Sequence, residues 1–331
     1  MKKTTIVVIK GTSFVSMKPT GVLGGARKGV DMPISKEYRL YEIPDNLYFH
    51  KTENGLIKII INNDHAEAEI YLHGANLTHF QPKGEAPVIF NAKETIFSAS
   101  KTVHAGIPIC WPWFGPHPTE SAKPQHGFAR DLCWKLKSAK MLKTNETEVV
   151  LTLKESPQTL ELWPYAFELE LTFTVGRSLS VSLKTTNRAA TAFTFTQALH
   201  TYFAVSDIES VQPQGVEGTP FIDYTDAKKE KIETDPLRID RTINRVYIPT
   251  RAACRIIDPL LKRTITIEKE GSNSTTIWNP WQESGIHDLP GDAYRKFLCI
   301  ETTNALSDAR TLQRDESSMI TQKVSVQKYA L

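Results

Sequence analysis

A large antiparallel β-sandwich is the fold this 331-residue sequence predicts. Three features predict it. Apolar residues recur with a period of two, turn-forming clusters punctuate the alternating runs, and no window longer than a couple of turns sustains an apolar stripe at the helical period. Strands with one apolar and one polar face belong to sheets that bury one side against a second layer.

Taken in order, residues 1–40 stand apart. "KPTGVLGGARKGVDMP" is rich in Gly and basic residues without pattern, and 1–40 is expected to be an extension, partly disordered or draped over the sheet. A single sandwich domain is expected over 41–331. Its alternating runs include "HAEAEIYL" (65–72), "EVVLTL" (148–153) and "SLSVSL" (178–183). In "AFELELTFTV" (166–175), Phe167, Leu169, Leu171, Phe173 and Val175 alternate with Glu and Thr. "TENG", "VGRS" and "TTNRA" supply turns between such runs. The stretch 206–250 is charged and irregular and reads as long loops over one edge of the sandwich. Within it, "DAKKEKIE" (226–233) reads as a solvated loop.

Composition excludes several classes. The formal net charge of +3 is small and its charges are interspersed, so the basic stripe that nucleic acid requires is missing. No apolar run is long enough to span a membrane, and the start, "MKKTTIVVIKGTSF", falls short of a signal peptide's apolar core. The expectation is a cytoplasmic protein. Cys110, Cys133, Cys254 and Cys299 show no CxxC spacing and sit in apolar or aromatic surroundings, which predicts buried free thiols. His104, His117 and His126 match no zinc spacing, so no metal is expected. Neither a P-loop nor a strand–GxGxxG–helix unit occurs.

The segment "HAGIPICWPWFGPHP" (104–118) holds four prolines, two tryptophans and a phenylalanine. Proline lacks an amide hydrogen and fixes φ, so this segment is neither a helix interior nor a central strand. A second such segment, "TTIWNPW" (275–281), brackets Asn279 and Pro280 with Trp278 and Trp281. Stiff aromatic segments make flat walls for the apolar faces of sugar rings. Trp113 and Trp278 are the candidate stacking faces; plugs of the core are the competing reading. In "AFTFTQALHTYFAV" (192–205), strand geometry puts Phe193, Phe195 and Leu199 on one face and His200 and Tyr202 on the other. Histidine titrates near neutrality and suits proton transfer to an oxygen. In "KFLCIETTNA" (296–305), Glu301 interrupts a run apolar on both faces; a carboxylate there is paired, hydrogen-bonded or poised for chemistry.

"AGIPICWPWFGPHP", "QHGFARDLCW" (125–134), "ALHTYF" (198–203), "TTIWNPW" and "FLCIETTNA" (297–305) follow one another in that order. Together they resemble the hexose-6-phosphate mutarotases, or glucose-6-phosphate 1-epimerases, of the aldose 1-epimerase, galactose-mutarotase-like superfamily. The resemblance covers roughly residues 45–331. It implies a supersandwich with a shallow cleft and a cofactor-independent isomerase that exchanges the α and β anomers of an aldohexose 6-phosphate. It implies that His200 is the general acid, that Glu301 is the general base, and that His126 and Arg130 line the site, Arg130 as a ligand for phosphate or sugar oxygens. Where the family has an arginine followed by two glycines, this chain has "VHAGIP". His104 replaces a phosphate-binding arginine, with Lys101 or His117 as possible compensation. The implied partner is a small sugar phosphate, and a monomer is compatible with it. A mutarotase for unphosphorylated aldoses and a non-catalytic carbohydrate-binding sandwich remain the alternatives.

Overall fold

The structure is a computed structural model that describes residues 34–91, 103–283, 286, 288, 289 and 291–329. Residues 1–33, most of the expected extension, lie outside the described residues, as does Lys101. Two eight-stranded sheets enclose a common apolar core, joined by a four-stranded sheet and a two-stranded ribbon. Among the described residues every strand pair is antiparallel. The predicted all-β sandwich is the fold observed.

The sheet behind the core runs, edge to edge, through Gln212–Gln214, Cys254–Asp258, Arg263–Glu270, Ser317–Lys328, Leu179–Asn187, Phe167–Val175, Thr147–Lys154 and Lys135–Met141. Its pattern is the one the alternation predicts. Phe167, Leu169, Leu171, Phe173 and Val175 are fully buried while the residues between them are half-buried. Phe173 stands opposite Val181 and Leu171 opposite Leu183, so the inward faces coincide across strands. Each such side chain contributes about 1.5–3 kcal/mol by leaving water, and a one-residue slip would expose the whole set.

The front sheet carries the site. Its order is Lys229–Ile232, Pro220–Asp223, Ile243–Tyr247, Ser274–Asn279, Phe297–Asn304, Gln197–Leu199 and Ile109–Cys110, with Tyr202–Ala204 also paired to Phe297–Asn304. Here the expectation for 206–250 fails. That stretch supplies four short strands, three of them at one end of this sheet. Runs of three to five residues are too short for alternation to stand out. The charged "KEKI" of Lys229–Ile232 is what an edge strand carries to resist further pairing. A second correction concerns the thiols: Cys110, Cys254 and Cys299 are buried, but Cys133 is exposed. Among the described residues no helix is long and apolar enough to cross a membrane.

Candidate active site

Phe297–Asn304 is buried along its whole length and separates two environments. Leu298 and Ile300 point into the main core, whereas Phe297 and Cys299 join a second apolar cluster with Phe90, Ala105 and Tyr202. Glu301 shares the parity of Phe297 and Cys299, so its carboxyl faces away from the main core. Antiparallel register then lays out a floor. Thr276 is opposite Glu301 and Trp278 opposite Cys299; Val246 is opposite Thr276 and Asn244 opposite Trp278. The amide of Tyr224 donates to the Asn244 carbonyl (2.9 Å). Glu301, Thr276, Trp278, Val246, Asn244 and Tyr224 all line one cleft of about 590 Å³.

His200 falls in the break between the strands Gln197–Leu199 and Tyr202–Ala204, where its amide donates to the Pro108 carbonyl (3.0 Å). Its ring lies parallel to that of Tyr202 (centroids 5.0 Å apart) and edge-on to His126 and Trp278. This packing aims Nε2 at Glu301 Oε1, 3.4 Å away. Both residues are buried, at 7% and 1% exposure, yet His200 Nδ1 and Glu301 Oε2 have no hydrogen-bond partner among the described residues, nor does Thr276 Oγ1. Unpartnered buried polar atoms are costly. Three of them converging on one cleft mark the place where a polar ligand would satisfy them.

The far wall is the proline-rich segment. Its backbone is fixed by other loops: the amides of Phe128 and Ala129 donate to the Trp111 carbonyl, that of His126 to the Gly115 carbonyl, and that of Phe114 to Thr196 Oγ1. Gly127 permits this closeness. Its φ is +73°, and a Cβ there would sit 2.0 Å from the Trp111 carbonyl oxygen, so only glycine fits. The two readings of the segment each hold for part of it. Trp111 is a core plug, fully buried against Phe128, Trp163 and Phe167. Phe114, Pro116, His117 and Pro118 form the rim.

Of the residues expected at the site, His104, His126, Arg130, Trp278, His200 and Glu301 all line this cleft. Trp113 does not. Its buried indole packs edge-on against Phe128 and His117 and donates to the Pro124 carbonyl (2.8 Å), supporting the rim from beneath. His104 is held by one carboxylate: Asp288 accepts its amide (2.8 Å) and lies 2.8 Å from its Nδ1. Sequence reasoning missed Asp288, Thr276, Asn244, Tyr224 and Lys228. Thr276 and Asn244 join the site only through strand register, and Lys228 was assigned to a solvated loop; the left-handed backbone it shares with Ala227 leaves no mark on the sequence.

Burial governs the protonation of the pair. It pushes the Glu301 carboxyl well above the usual range, opposed by the positive charge of Arg130. It pushes His200 well below, reinforced by His126, Arg130 and His104. His126 falls to about 3, again chiefly through burial. Burial thus disfavours the charged form of each group and leaves a proton to be exchanged between them. Among the described residues, no group of three or more His, Cys, Asp and Glu side chains is arranged to hold a metal ion.

The family model described as aldose 1-epimerase matches residues 58–325. A Salmonella typhimurium protein provisionally named glucose-6-phosphate 1-epimerase is 35% identical over 276 residues, 82% of this chain and 90% of its own. A Cenchrus ciliaris protein with the same provisional name is 33% identical over 263 residues, 76% of this chain and 79% of its own. A crystal structure of a provisionally named mutarotase from Salmonella typhimurium superposes with a TM-score of 0.81 at 31% identity, covering 87% of this chain and 96% of that one.

Proposed function

The chain belongs to the aldose 1-epimerase family, and on that premise we propose that it interconverts the α and β anomers of an aldohexose 6-phosphate, glucose 6-phosphate foremost. The observation that carries this reading is the His200–Glu301 pair, 3.4 Å apart on the cleft floor, each with a second polar atom left for a ligand. Glu301 acts as base and His200 as acid once the shared proton sits on the imidazole. Arg130 favours that form, because its charge stabilises the carboxylate.

Glu301 takes the proton of the anomeric hydroxyl while His200 gives its proton to the ring oxygen. The C1–O5 bond breaks, O1 becomes the aldehyde oxygen, and C1 rotates about the C1–C2 bond. Reclosure on the other face reverses both transfers. Protons alone move, and each of the two groups contributes roughly 10²- to 10⁴-fold. Trp278 offers an aromatic face to the ring. The phosphate preference is supported by the charged groups among the described lining residues, Arg130 and Lys228 against the carboxyl of Glu301.

A reading with unphosphorylated aldoses has one observation in its favour: His104 is already bonded to the Asp288 carboxylate. Anomeric exchange followed by NMR separates the two, using glucose 6-phosphate, galactose 6-phosphate, glucose and galactose. Faster exchange of the phosphates is expected. Equal rates would favour the free sugars' reading, and exchange no faster than in buffer would leave only a carbohydrate-binding role.

A further inference from the structure

An anionic substrate needs a cation at its charged end, and the imidazoles of the cleft are poor candidates. His104 is tied through Nδ1 and amide to Asp288. His117 accepts the Glu120 amide on Nδ1 (3.1 Å), and His126 accepts the Gly115 amide on Nδ1 (3.1 Å), so one ring nitrogen of each is already engaged by backbone. His200 is occupied with Glu301. The permanent cations among the described lining residues are Arg130 and Lys228.

These two stand on opposite flanks of the reacting pair. Arg130 follows the rim segment, and its charge is felt at Glu301, His200 and His126 alike. Lys228 sits at the tip of the hairpin Pro220–Asp223 and Lys229–Ile232, on the far side of the floor. The register from Glu301 through Thr276 and Val246 to Ile222 spans three strand spacings, about 14 Å.

The hairpin tip is built to present this lysine. Asp223 accepts the amide and hydroxyl of Thr225 (3.0 and 2.6 Å) and pairs with Lys231 (2.8 Å). Asp226 pairs with Lys229 and Lys231, both at 2.9 Å. Every other lysine of the tip is thus engaged. Ala227 and Lys228 hold φ of +51° and +58°, a left-handed conformation that costs residues other than glycine energy and needs a surrounding reason. Lys228 makes no ion pair among the described residues; its Nζ lies over the Tyr224 ring, 5.4 Å from the centroid, and it lines the cleft beside Asn244 and Tyr224.

We propose that Lys228, resting on Tyr224 at the end of the cleft remote from the catalytic pair, receives the 6-phosphate, while Arg130 serves the oxygens at the reacting end. This rests on the phosphosugar reading above. In a hexose 6-phosphate the anion is separated from C1 by the ring oxygen, C5 and C6, so it lies away from the groups that open the ring. A lysine ammonium is a compact point charge on a flexible stem, suited to a phosphate reached across solvent.

Anomerisation kinetics of glucose 6-phosphate and glucose are measured for the wild type, Lys228→Gln and Lys228→Arg, with inorganic phosphate as competing anion. Lys228→Gln is expected to raise KM for glucose 6-phosphate roughly 10- to 100-fold, the worth of one charge-assisted hydrogen bond. KM for glucose should rise far less, inhibition by inorganic phosphate should weaken in parallel, and Lys228→Arg should restore most of the loss. An unchanged KM for the phosphate, or an equal rise for both sugars, overturns the assignment. A wild-type preference for glucose 6-phosphate that survives Lys228→Gln sinks the lysine and leaves the phosphosugar reading intact. A wild type that does not distinguish the two sugars and ignores inorganic phosphate removes both.

Discussion

Asp288 holds His104 from two sides, accepting its backbone amide on one carboxylate oxygen and facing its ring Nδ1 with the other, both at 2.8 Å. The bonds from His104 keep the Asp288 carboxyl below the usual carboxylate range. Whatever cation stands at position 104 is therefore met by a carboxylate before any substrate arrives.

The first prediction follows from that pairing. His104→Arg alone should leave KM for glucose 6-phosphate within about twofold, because the guanidinium would pair with Asp288. Adding Asp288→Asn should release the arginine and lower KM about tenfold, the effect of one freed charged donor. Initial-rate kinetics on the single and double variants check this. Full improvement in His104→Arg alone would show that Asp288 does not compensate the charge.

Glu301→Gln keeps the size of the side chain and removes its basicity. It should lower kcat by roughly two to four orders of magnitude while retaining or raising Tm, since an ionisable group in a buried setting becomes neutral. His200→Asn should lose a comparable amount. The double variant should fall well short of the product of the two losses, because both groups serve one transition state. NMR exchange beside thermal melts decides it. Wild-type turnover by Glu301→Gln contradicts the mechanism, and unfolding of that variant points to a structural carboxylate.

Arg130→Ala should move the whole pH–rate profile upward. The guanidinium lowers the pKa of both Glu301 and His200. Its removal makes protonation easier at each, so both limbs of the profile shift to higher pH. The loss in kcat/KM should be similar for phosphorylated and free glucose. A loss confined to the phosphate would instead place the phosphate on Arg130.

His126 makes folding acid-sensitive. Its pKa in the folded chain is about 3, lowered from 6.5 by burial. Between those values the unfolded chain binds a proton that the folded chain refuses, so stability is complete above 6.5 and declines as pH falls toward 3. The decline is about 1.4 kcal/mol per pH unit for one such group. His200 adds to it, while Glu301, raised by burial, acts in the opposite sense. His126→Asn tolerates the left-handed backbone at φ +66° and should flatten the dependence by one proton. Urea midpoints taken from about pH 7 to about pH 5 measure it; an unaltered slope would show that His126 is protonated in the folded state.

The sandwich was legible because Phe167–Val175 alternates over nine residues, long enough for its burial to follow the pattern without exception. The proposed catalytic pair was legible for a different reason. A carboxylate inside a strand buried at every position is anomalous in the sequence itself. Thr276 and Asn244 were hidden because only strand register brings them to Glu301 and Trp278. Trp113 misled because a proline-rich aromatic segment advertises stiffness without saying which ring turns inward. Lys228 was hidden by its neighbours, since a run of alternating charges looks the same whether or not its pairs leave one member over.

The distribution of thiols turns the protein into its own reporter. Cys133 meets solvent, whereas Cys110 and Cys299 are buried in the sheet that holds Glu301, opposite Ala198 in one case and opposite Trp278 and Tyr202 in the other. Burial raises the pKa of both thiols and withholds the reactive thiolate. A thiol reagent should therefore consume one equivalent at once and the remainder only as fast as strands part. The share of the slow phase due to Cys110 and Cys299 clocks the opening of the sheet that holds Glu301, Cys254 reporting on the opposite sheet, and a sugar that fills the cleft should lengthen that share.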